Sequence, residues 1–161
     1  MAINFAILGT GRIADNALAP ALGRANGARL WSVLSRNKER ARSFADSHGA
    51  QAPEPAYTDL DALLADPELH AVVISSPDAL HAEQAIAAAQ AGKHVLTEKP
   101  MATSIDECRP MVDACAQARV QLGVAYHMRW HTGHRRIAEL AEHGHFGELR
   151  HVRVHWSWRA P

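Results

Sequence analysis

The sequence predicts an α/β fold built on a doubly wound parallel β-sheet, and three observations support this prediction. Short apolar runs alternate with helical patterns along most of the 161 residues. The first run, Ile3 to Leu8, is largely apolar, as expected of a strand that is buried on both faces. Glycines close several of the helical patterns, which favours short connections. We therefore expect right-handed βαβ crossovers.

The predicted strands are short apolar runs that lie between turn residues. Each is too short to form a helix of typical length, and turn residues flank it on both sides. They are Ile3 to Leu8, Arg29 to Leu34, Ala71 to Ile74, His94 to Thr97 and Gln121 to Ala125, with one further short strand in the loop marked by Pro53, Pro55 and Tyr57.

The predicted helices begin at capping residues and mostly end at glycine. Asp59 is a candidate N-cap, and Ser104 with Glu107 fits a capping box. The helices are Ile13 to Arg24, Asn37 to His48, Leu60 to Ala65, Ala79 to Ala91, Ser104 to about Ala118, and Ile137 to His143.

The last segment, from Arg150 to Trp158, follows a different pattern. Apolar residues alternate with polar ones, which predicts an antiparallel strand with one face exposed to water. The apolar face would consist of Val152, Val154, Trp156 and Trp158. We interpret this strand as the start of a second domain, so that residues 1–125 form a first domain and residues 126–161 begin a truncated α+β domain. Alternatively, the strand joins the main sheet or pairs with a second copy of the chain.

Composition excludes several classes of protein. The 17 Lys and Arg residues balance the 17 Asp and Glu residues, whereas a nucleic-acid-binding protein should show a basic excess. No stretch approaches the roughly 20 apolar residues of a membrane span, and the N-terminus lacks the basic region of a signal peptide. The two cysteines, Cys108 and Cys115, lie about 10 Å apart on one predicted helix, too far to pair. We therefore expect a cytoplasmic protein.

A glycine motif at the end of the first predicted strand indicates a dinucleotide site. Gly9-Thr10-Gly11-Arg12-Ile13-Ala14 fits G-x-G-x-x-G/A, which follows a strand and opens a helix. The first glycine allows a tight turn, and the second lets a pyrophosphate approach the backbone. The motif thus favours a Rossmann-type sheet with cofactor-binding residues Gly9, Thr10, Gly11, Arg12 and Ile13. The alternative is a glycine-rich turn in another kind of α/β protein.

The end of the second predicted strand favours NADP over NAD. NAD-binding domains usually carry an acidic residue there for the ribose hydroxyls. This sequence has Ser35 instead, with Arg36 and Arg40 close by. A guanidinium binds a 2′-phosphate through paired hydrogen bonds. The alternative is an ordinary charged helix start that is exposed to solvent.

A third block, Glu98-Lys99-Pro100, follows the predicted strand His94 to Thr97. The carboxyl ends of parallel strands face the cofactor crevice. Lys99 could hydrogen-bond a substrate oxygen and stabilise a developing alkoxide, while Glu98 holds the lysine in place. Taken alone, these three residues are more typical of a surface turn.

Four segments together resemble the N-terminal part of the glucose–fructose oxidoreductase / inositol dehydrogenase / rhizopine catabolism (Gfo/Idh/MocA) family. The resemblance extends over essentially the whole chain, and the combination is specific although each piece alone is not. The segments are the motif at residues 9–14, Ser75-Ser76-Pro77-Asp78-Ala79-Leu80-His81, Ala91 to Pro100, and Gly144-His145-Phe146-Gly147-Glu148-Leu149.

The resemblance implies an NADP-preferring oxidoreductase, with NAD(H) also possible, that transfers hydride between nicotinamide and a sugar or polyol. It implies that Lys99 is catalytic and that Glu98 lies in the cofactor site. It also implies homo-oligomers formed through a second domain, and a chain that by itself binds cofactor without turnover. The loop residues that it implies line the dinucleotide are Ser75, Ser76, Pro77 and His81. We expect no partnership with nucleic acid or membrane.

Three departures from the family pattern limit these implications. Asp78 and Ala125 stand where many members carry asparagine, and the Asp and His of the family's second domain have no counterpart here. The alternative function is therefore a regulator that binds a dinucleotide without catalysis. A metal site formed by His127, His131 and His134 is a weaker alternative, since no cysteine lies nearby and Gly133 interrupts the segment.

Overall fold

The structure is a computed structural model that describes residues 2–155 and residue 157. The chain forms two compact units, Met1–Ala125 and Tyr126–Pro161, of which the first contains the sheet. In the described part of the chain, no helix is long and apolar enough to cross a membrane.

The first unit is built on a six-stranded sheet in which every pair of neighbouring strands is parallel. The strand order is β3-β2-β1-β4-β5-β6, which confirms the predicted doubly wound, Rossmann-type sheet. The strands are β1 (Ile3–Leu8), β2 (Ala28–Leu34), β3 (Ala56–Tyr57), β4 (Ala71–Ile74), β5 (His94–Thr97) and β6 (Leu122–Val124).

The helices of the first unit connect these strands, and their boundaries lie within a few residues of the prediction. The first begins at residue 12 and contains a π-helical segment, Ala14–Leu18, before it continues as α1. A short 3-10 turn, Asp78–Leu80, precedes the fourth helix. The α-helices are α1 (Ala19–Arg24), α2 (Lys38–His48), α3 (Leu60–Leu64), α4 (His81–Gln90) and α5 (Ile105–Ala118).

The predicted caps form at the starts of α3 and α5 and at the end of α2. The Asp59 carboxylate accepts from the Ala62 N–H at 2.8 Å, and Gly49 adopts φ +66° beyond α2. The Ser104 hydroxyl accepts from the Glu107 N–H at 3.2 Å. The Glu107 carboxylate accepts mainly from the N–H and the hydroxyl of Thr103, and the Ser104 backbone makes a smaller contribution.

Two apolar clusters hold the sheet. One contains buried residues of β1, β4 and α4, such as Ala6, Val72 and Ala85, together with Met111 of α5. The other places Ile7 and Val33 against Phe44 of α2. Helix α4 packs closely against the sheet because its buried side chains are small, and residues such as Ala85 and Ala88 are fully buried.

A network of polar contacts stabilises the edge of the sheet at which β5 begins. The ammonium of Lys93 donates to the carbonyls of Asp66 and Leu69 at 2.8 and 2.9 Å, and the Asp66 carboxylate accepts from the Trp31 indole at 2.7 Å. Burial lowers the pKa of Lys93, and the Asp66 carboxylate partly offsets this effect. Lys93, which lies in the A-G-K-H segment of the family resemblance, is therefore structural.

The second unit consists of a 3-10 turn, His127–Trp130, and helix α6, Thr132–Glu142. The helix begins five residues earlier than predicted, because Gly133 lies within its first turn and does not interrupt it. Residues 150–155 are not a strand, contrary to the prediction, because no described segment offers them a hydrogen-bonded neighbour. Val152 and Val154 are exposed, while Trp156 and Trp158 lie outside the described residues.

Candidate functional site

The strand register brings four chain segments to one edge of the sheet. Leu8 at the end of β1 pairs with Leu34 of β2 and with Ile74 of β4, and Ile74 pairs with Thr97 of β5. The residues that follow these strand ends therefore emerge side by side, although they are far apart in sequence. They are Gly9, Ser35, Ser75 and Glu98.

A cleft of about 900 Å³ opens at this edge, where the chain leaves β1, β2 and β4. It lies at the point where the strand order reverses, which is where open α/β sheets bind ligands. The predicted site residues that line it are Gly9, Thr10, Gly11, Ser35, Arg36, Arg40, Ser75, Ser76 and Pro77. None of the lining residues in the described part of the chain is acidic, so the cleft suits an anion.

Gly9 makes the tight turn at the floor of the cleft. Its φ is +101°, and a Cβ placed on it would lie 2.8 Å from the Ser76 nitrogen and 2.9 Å from the Ser75 carbonyl. Its N–H donates to the Leu34 carbonyl at 2.9 Å. Only glycine fits this position, because any side chain would meet backbone atoms that cannot move aside.

Gly11 serves a different purpose from Gly9. A Cβ placed on Gly11 would meet no atom within 4 Å, although the residue lines the cleft. The Asp15 N–H donates to the Gly11 carbonyl at 3.0 Å, so the helix starts directly after this glycine. The first amides of a helix lack partners within the helix, and they attract negative charge.

Two serines fix the loop after β4 against the glycine turn. The Ser75 hydroxyl donates to the carbonyls of Leu8 and Gly9 at 3.2 and 3.1 Å. The Ser76 hydroxyl donates to the Gln84 side chain at 2.7 Å. Both serines line the cleft as predicted, but their hydroxyls are engaged in holding its walls together.

The wall formed after β2 carries positive charge. Asn37 caps α2 by accepting from the Arg40 N–H at 2.8 Å, which places Arg36 just before the helix and Arg40 in its first turn. Ser35 accepts a 3.3 Å hydrogen bond from the Thr10 hydroxyl, and this bond joins the wall to the glycine turn. The two guanidinium groups therefore flank the cleft beside a serine rather than a carboxylate.

Arg12 and Ile13 do not line the main cleft. Arg12 lies in a smaller groove that shares Thr10, Gly11 and Arg40 with the cleft. Ile13 is 46 % exposed and belongs to neither. Arg12 thus lies beside the cleft in a groove that Asp15 and Arg40 also line, whereas the prediction for Ile13 rests on the motif pattern alone.

Glu98 and Lys99 lie at the same sheet edge but outside the residues that line the cleft. The Glu98 N–H donates to the Ile74 carbonyl at 2.8 Å, which ties this segment to β4. The Glu98 carboxylate accepts from the Lys99 backbone N–H at 3.2 Å rather than from its ammonium. The Lys99 side chain is exposed, and it makes no hydrogen bond or ion pair with the residues that the structure describes.

His81 does not line the cleft either. It is only 1 % exposed, and its two ring nitrogens contact backbone carbonyls of Ser76 and Pro100. That His81 binds the cofactor stays a prediction, and in this structure the ring is buried at the first position of α4 rather than in the wall of the cleft.

Sequence reasoning missed several residues that line the cleft. Leu80 lies within the recognised segment at residues 75–81 and Gln84 follows that segment, so the start of α4 was the signal for them. Leu34 and Asn37 flank the Ser35 segment, and nothing in the sequence distinguishes Thr58 and Leu60 as part of a site.

The residues of the cleft fit a dinucleotide. Space at Gly11, unpaired amides at the helix start and two arginines in a cleft whose described lining contains no acid match the needs of a pyrophosphate and a further phosphate.

The three histidines that the sequence offered as metal ligands do not form such a site among the described residues. The rings of His131 and His134 lie 4.9 Å apart, and His134 contacts the Met128 carbonyl. Among the described residues, no group of three or more His, Cys, Asp or Glu is placed to hold a metal.

Two curated relatives and one solved structure match most of this chain. It is 39 % identical over 157 residues to D-xylose 1-dehydrogenase (NADP(+)) 2 of Haloferax volcanii, covering 98 % of this chain and 47 % of that protein. It is 37 % identical over 131 residues to 1,5-anhydro-D-fructose reductase of Ensifer adhaerens, covering 81 % and 38 %. The crystal structure of KijD10, a 3-ketoreductase from Actinomadura kijaniata, with NADP matches with a TM-score of 0.82 at 30 % identity, covering 93 % and 47 %.

The chain spans less than half the length of these relatives. Residues 3–126 match the family model described as "Oxidoreductase family, NAD-binding Rossmann fold". This range ends where β6 leads out of the sheet, so the match covers every strand and the whole cleft. The chain therefore belongs to the GFO_IDH_MocA oxidoreductase family, as the sequence resemblance indicated.

Proposed function

We propose that this chain is the cofactor-binding part of an NADP-preferring oxidoreductase that transfers hydride between nicotinamide and a sugar or polyol. The observation that carries the proposal is the cleft wall after β2, where Ser35 replaces an acid and Arg36 and Arg40 supply two cations. An acidic residue there would repel a 2′-phosphate, whereas a guanidinium binds it through paired hydrogen bonds.

Each part of the cleft would bind one part of the cofactor. The amides at the start of the first helix would hold the pyrophosphate, and Gly11 leaves room for its approach. Arg36 and Arg40 would bind the 2′-phosphate, with Arg12 adding charge at the edge. Ser75, Ser76 and Pro77 would form the opposite wall. NAD(H) would bind through the same contacts except those to the 2′-phosphate.

We propose that Lys99 is the catalytic residue of this half. When bound, the nicotinamide cofactor supplies the hydride chemistry. The exposed Lys99 ammonium, which lies at the carboxyl edge of the sheet, would orient the substrate oxygen and stabilise the charge that develops on it. Glu98 would fix the lysine backbone through its contact with the Lys99 N–H.

The names of the relatives support a sugar or polyol as the substrate. The matched proteins include a D-xylose dehydrogenase, a 1,5-anhydro-D-fructose reductase and a scyllo-inositol 2-dehydrogenase. A common feature of these compounds is an alcohol or carbonyl carbon that bears neighbouring hydroxyl groups.

We also propose the organisation of the whole protein. Residues 1–125 would bind the cofactor, and residues 126–161 would lead into a substrate domain whose sheet forms homo-oligomers. The location would be cytoplasmic, which suits the two free thiols of Cys108 and Cys115.

The test of cofactor preference is titration calorimetry of the chain with NADP⁺, NAD⁺ and 2′,5′-ADP. Arg36→Ala and Arg40→Ala should each weaken NADP⁺ binding about 10- to 100-fold, because each removes one charge-assisted contact, and should leave NAD⁺ binding nearly unchanged. Arg42→Ala is the matched control, since Arg42 lies on the same helix but pairs with Glu54 at 2.9 Å outside the cleft. Equal affinities for the two cofactors, or a preference for NAD⁺, would refute the proposal.

A further inference from the structure

The imidazole of His81 lies between two loops at the functional edge of the sheet. His81 is the first residue of α4 and is 1 % exposed. Its Nε2 lies 3.0 Å from the Ser76 carbonyl, and its Nδ1 lies 2.9 Å from the Pro100 carbonyl. One ring therefore connects the wall of the cleft to the segment that carries Lys99.

Both partners of the His81 ring are carbonyl oxygens, which only accept hydrogen bonds. A neutral imidazole has one N–H, so it could bond one carbonyl while its other nitrogen faced the second carbonyl lone pair to lone pair. A ring with hydrogen on both nitrogens bonds both. No carboxylate oxygen of the described residues lies within 4.0 Å of the ring nitrogens, so the two backbone carbonyls are the groups that hold the ring in place.

Lys99 lies between two anchored points of the backbone. On one side the Glu98 N–H is bonded to the Ile74 carbonyl of β4 at 2.8 Å. On the other side the Pro100 carbonyl contacts His81. The Lys99 side chain itself is exposed. The backbone of this lysine is therefore fixed from both directions while its ammonium stays available.

The first turn of α4 also holds the cleft side of this connection. His81 contacts the Ser76 carbonyl, and Gln84, one turn later, accepts from the Ser76 hydroxyl at 2.7 Å. Ser76 lies against the glycine turn, because its nitrogen would be 2.8 Å from a Cβ on Gly9. Any shift of Pro100 is thereby coupled to the position of the cleft wall.

We propose that His81 is a positioning residue whose buried ring, held between the carbonyls of Pro100 and Ser76, sets the place of Lys99 relative to the bound cofactor. This inference rests on the proposed function, in which Lys99 acts beside the nicotinamide. His81 does not touch the cofactor itself.

The hydrogen bonding of the ring is tested first, on the unaltered chain. Ring ¹⁵N–¹H correlation spectra report whether a ring N–H exchanges slowly with solvent, and His81→Gln identifies the His81 signals among the 11 histidines. We expect His81 to have a ring N–H that is protected from exchange by its bond to a backbone carbonyl. A His81 ring without a protected N–H would overturn the positioning role.

The positioning effect is tested by acetylation of Lys99, read out by mass spectrometry with and without ligand. In the unaltered chain NADP⁺ should protect Lys99, whereas 2′,5′-ADP, which lacks the nicotinamide, should not. In His81→Gln the NADP⁺ protection should fall about tenfold, as expected when a buried hydrogen bond is lost, while affinity for 2′,5′-ADP stays within a few-fold.

His70→Gln is the matched control. His70 also contacts the backbone through Nδ1, which accepts from the Asn4 N–H at 3.1 Å, but it precedes β4 at the opposite edge of the sheet. This variant should lose stability yet keep Lys99 protection. If His81→Gln keeps full protection, the positioning role fails and the proposed function stands. If NADP⁺ binds the unaltered chain without protecting Lys99, the catalytic role of Lys99 fails, and the positioning inference fails with it.

Discussion

Substitution by alanine should affect a different property at each of the two glycines in the turn after β1. Gly9→Ala should lower the stability of the fold, whereas Gly11→Ala should weaken cofactor binding. In Gly9→Ala the new methyl group would lie 2.8 to 2.9 Å from backbone atoms of Ser75 and Ser76, at a φ of +101°. Strained backbone costs about 1–3 kcal/mol and overpacking costs about another 1–3 kcal/mol. We therefore expect Gly9→Ala to lower the free energy of unfolding by about 2–6 kcal/mol.

Gly11→Ala has no such clash, because a Cβ there meets nothing within 4 Å. Its stability should stay close to that of the unaltered chain. The methyl group would instead occupy space beside the cleft where a pyrophosphate must approach the backbone, so NADP⁺ binding should weaken about tenfold or more.

Thermal unfolding and titration calorimetry separate these two effects. At about 3 °C per kcal/mol for a chain of this size, Gly9→Ala should lower the Tm by roughly 6–18 °C. Gly11→Ala should melt close to the unaltered chain but lose ligand affinity. The reasoning is refuted if Gly9→Ala melts within a degree or two of the unaltered chain, or if Gly11→Ala loses as much stability as Gly9→Ala does.

Three further predictions concern single residues. In a form of the protein that turns over a sugar, Lys99→Ala should lower kcat about 100-fold while the Kd for NADP(H) changes only a few-fold, as steady-state kinetics and fluorescence titration would show. Lys93→Met should lower the free energy of unfolding in urea by about 1–3 kcal/mol, because the carbonyls of Asp66 and Leu69 lose their buried donor; unchanged stability would contradict this. Hydrogen bonds from Thr103 hold the pKa of Glu107 below its ordinary value. The stability that these hydrogen bonds contribute is therefore complete at a pH above the ordinary pKa, and it is lost as the pH falls through the folded-state pKa. In urea titrations, the difference in the free energy of unfolding between the unaltered chain and Glu107→Gln should therefore shrink as the pH is lowered and stay unchanged as the pH is raised.

The parallel sheet could be predicted from the sequence because its strands are set by local patterns. Buried parallel strands are nearly continuous apolar runs, and β4, as Ala71–Ile74, matches its prediction residue for residue. The predicted strand at residues 150–158 shows the limit of this reasoning. Alternation describes a strand that has a partner, and residues 150–155 have none among the described residues.

The cleft could be predicted in outline because motif residues at strand ends must meet at one edge of a parallel sheet. Thr58 and Leu60 were missed, since they reach the cleft only through the pairing of β3 with β2, which no motif encodes. The roles of the serines were also not predictable. Their hydroxyls bond the turn and α4, and these contacts depend on distances between segments that are more than 60 residues apart in the case of Ser75.

His81 shows why a family pattern and a structural role have to be separated. The sequence placed it in a loop beside the dinucleotide, and a polar residue at that place is readily taken for a ligand contact. Its ring is 1 % exposed and contacts two backbone carbonyls instead of lining the cleft, yet both partners belong to segments that form the site. Because a buried polar group needs its partners, replacing His81 would remove the ring that the two carbonyls contact at the junction of those segments. The residue therefore contributes to the site through the backbone that it holds, and its effect on binding must be read at Lys99 rather than at the cleft wall.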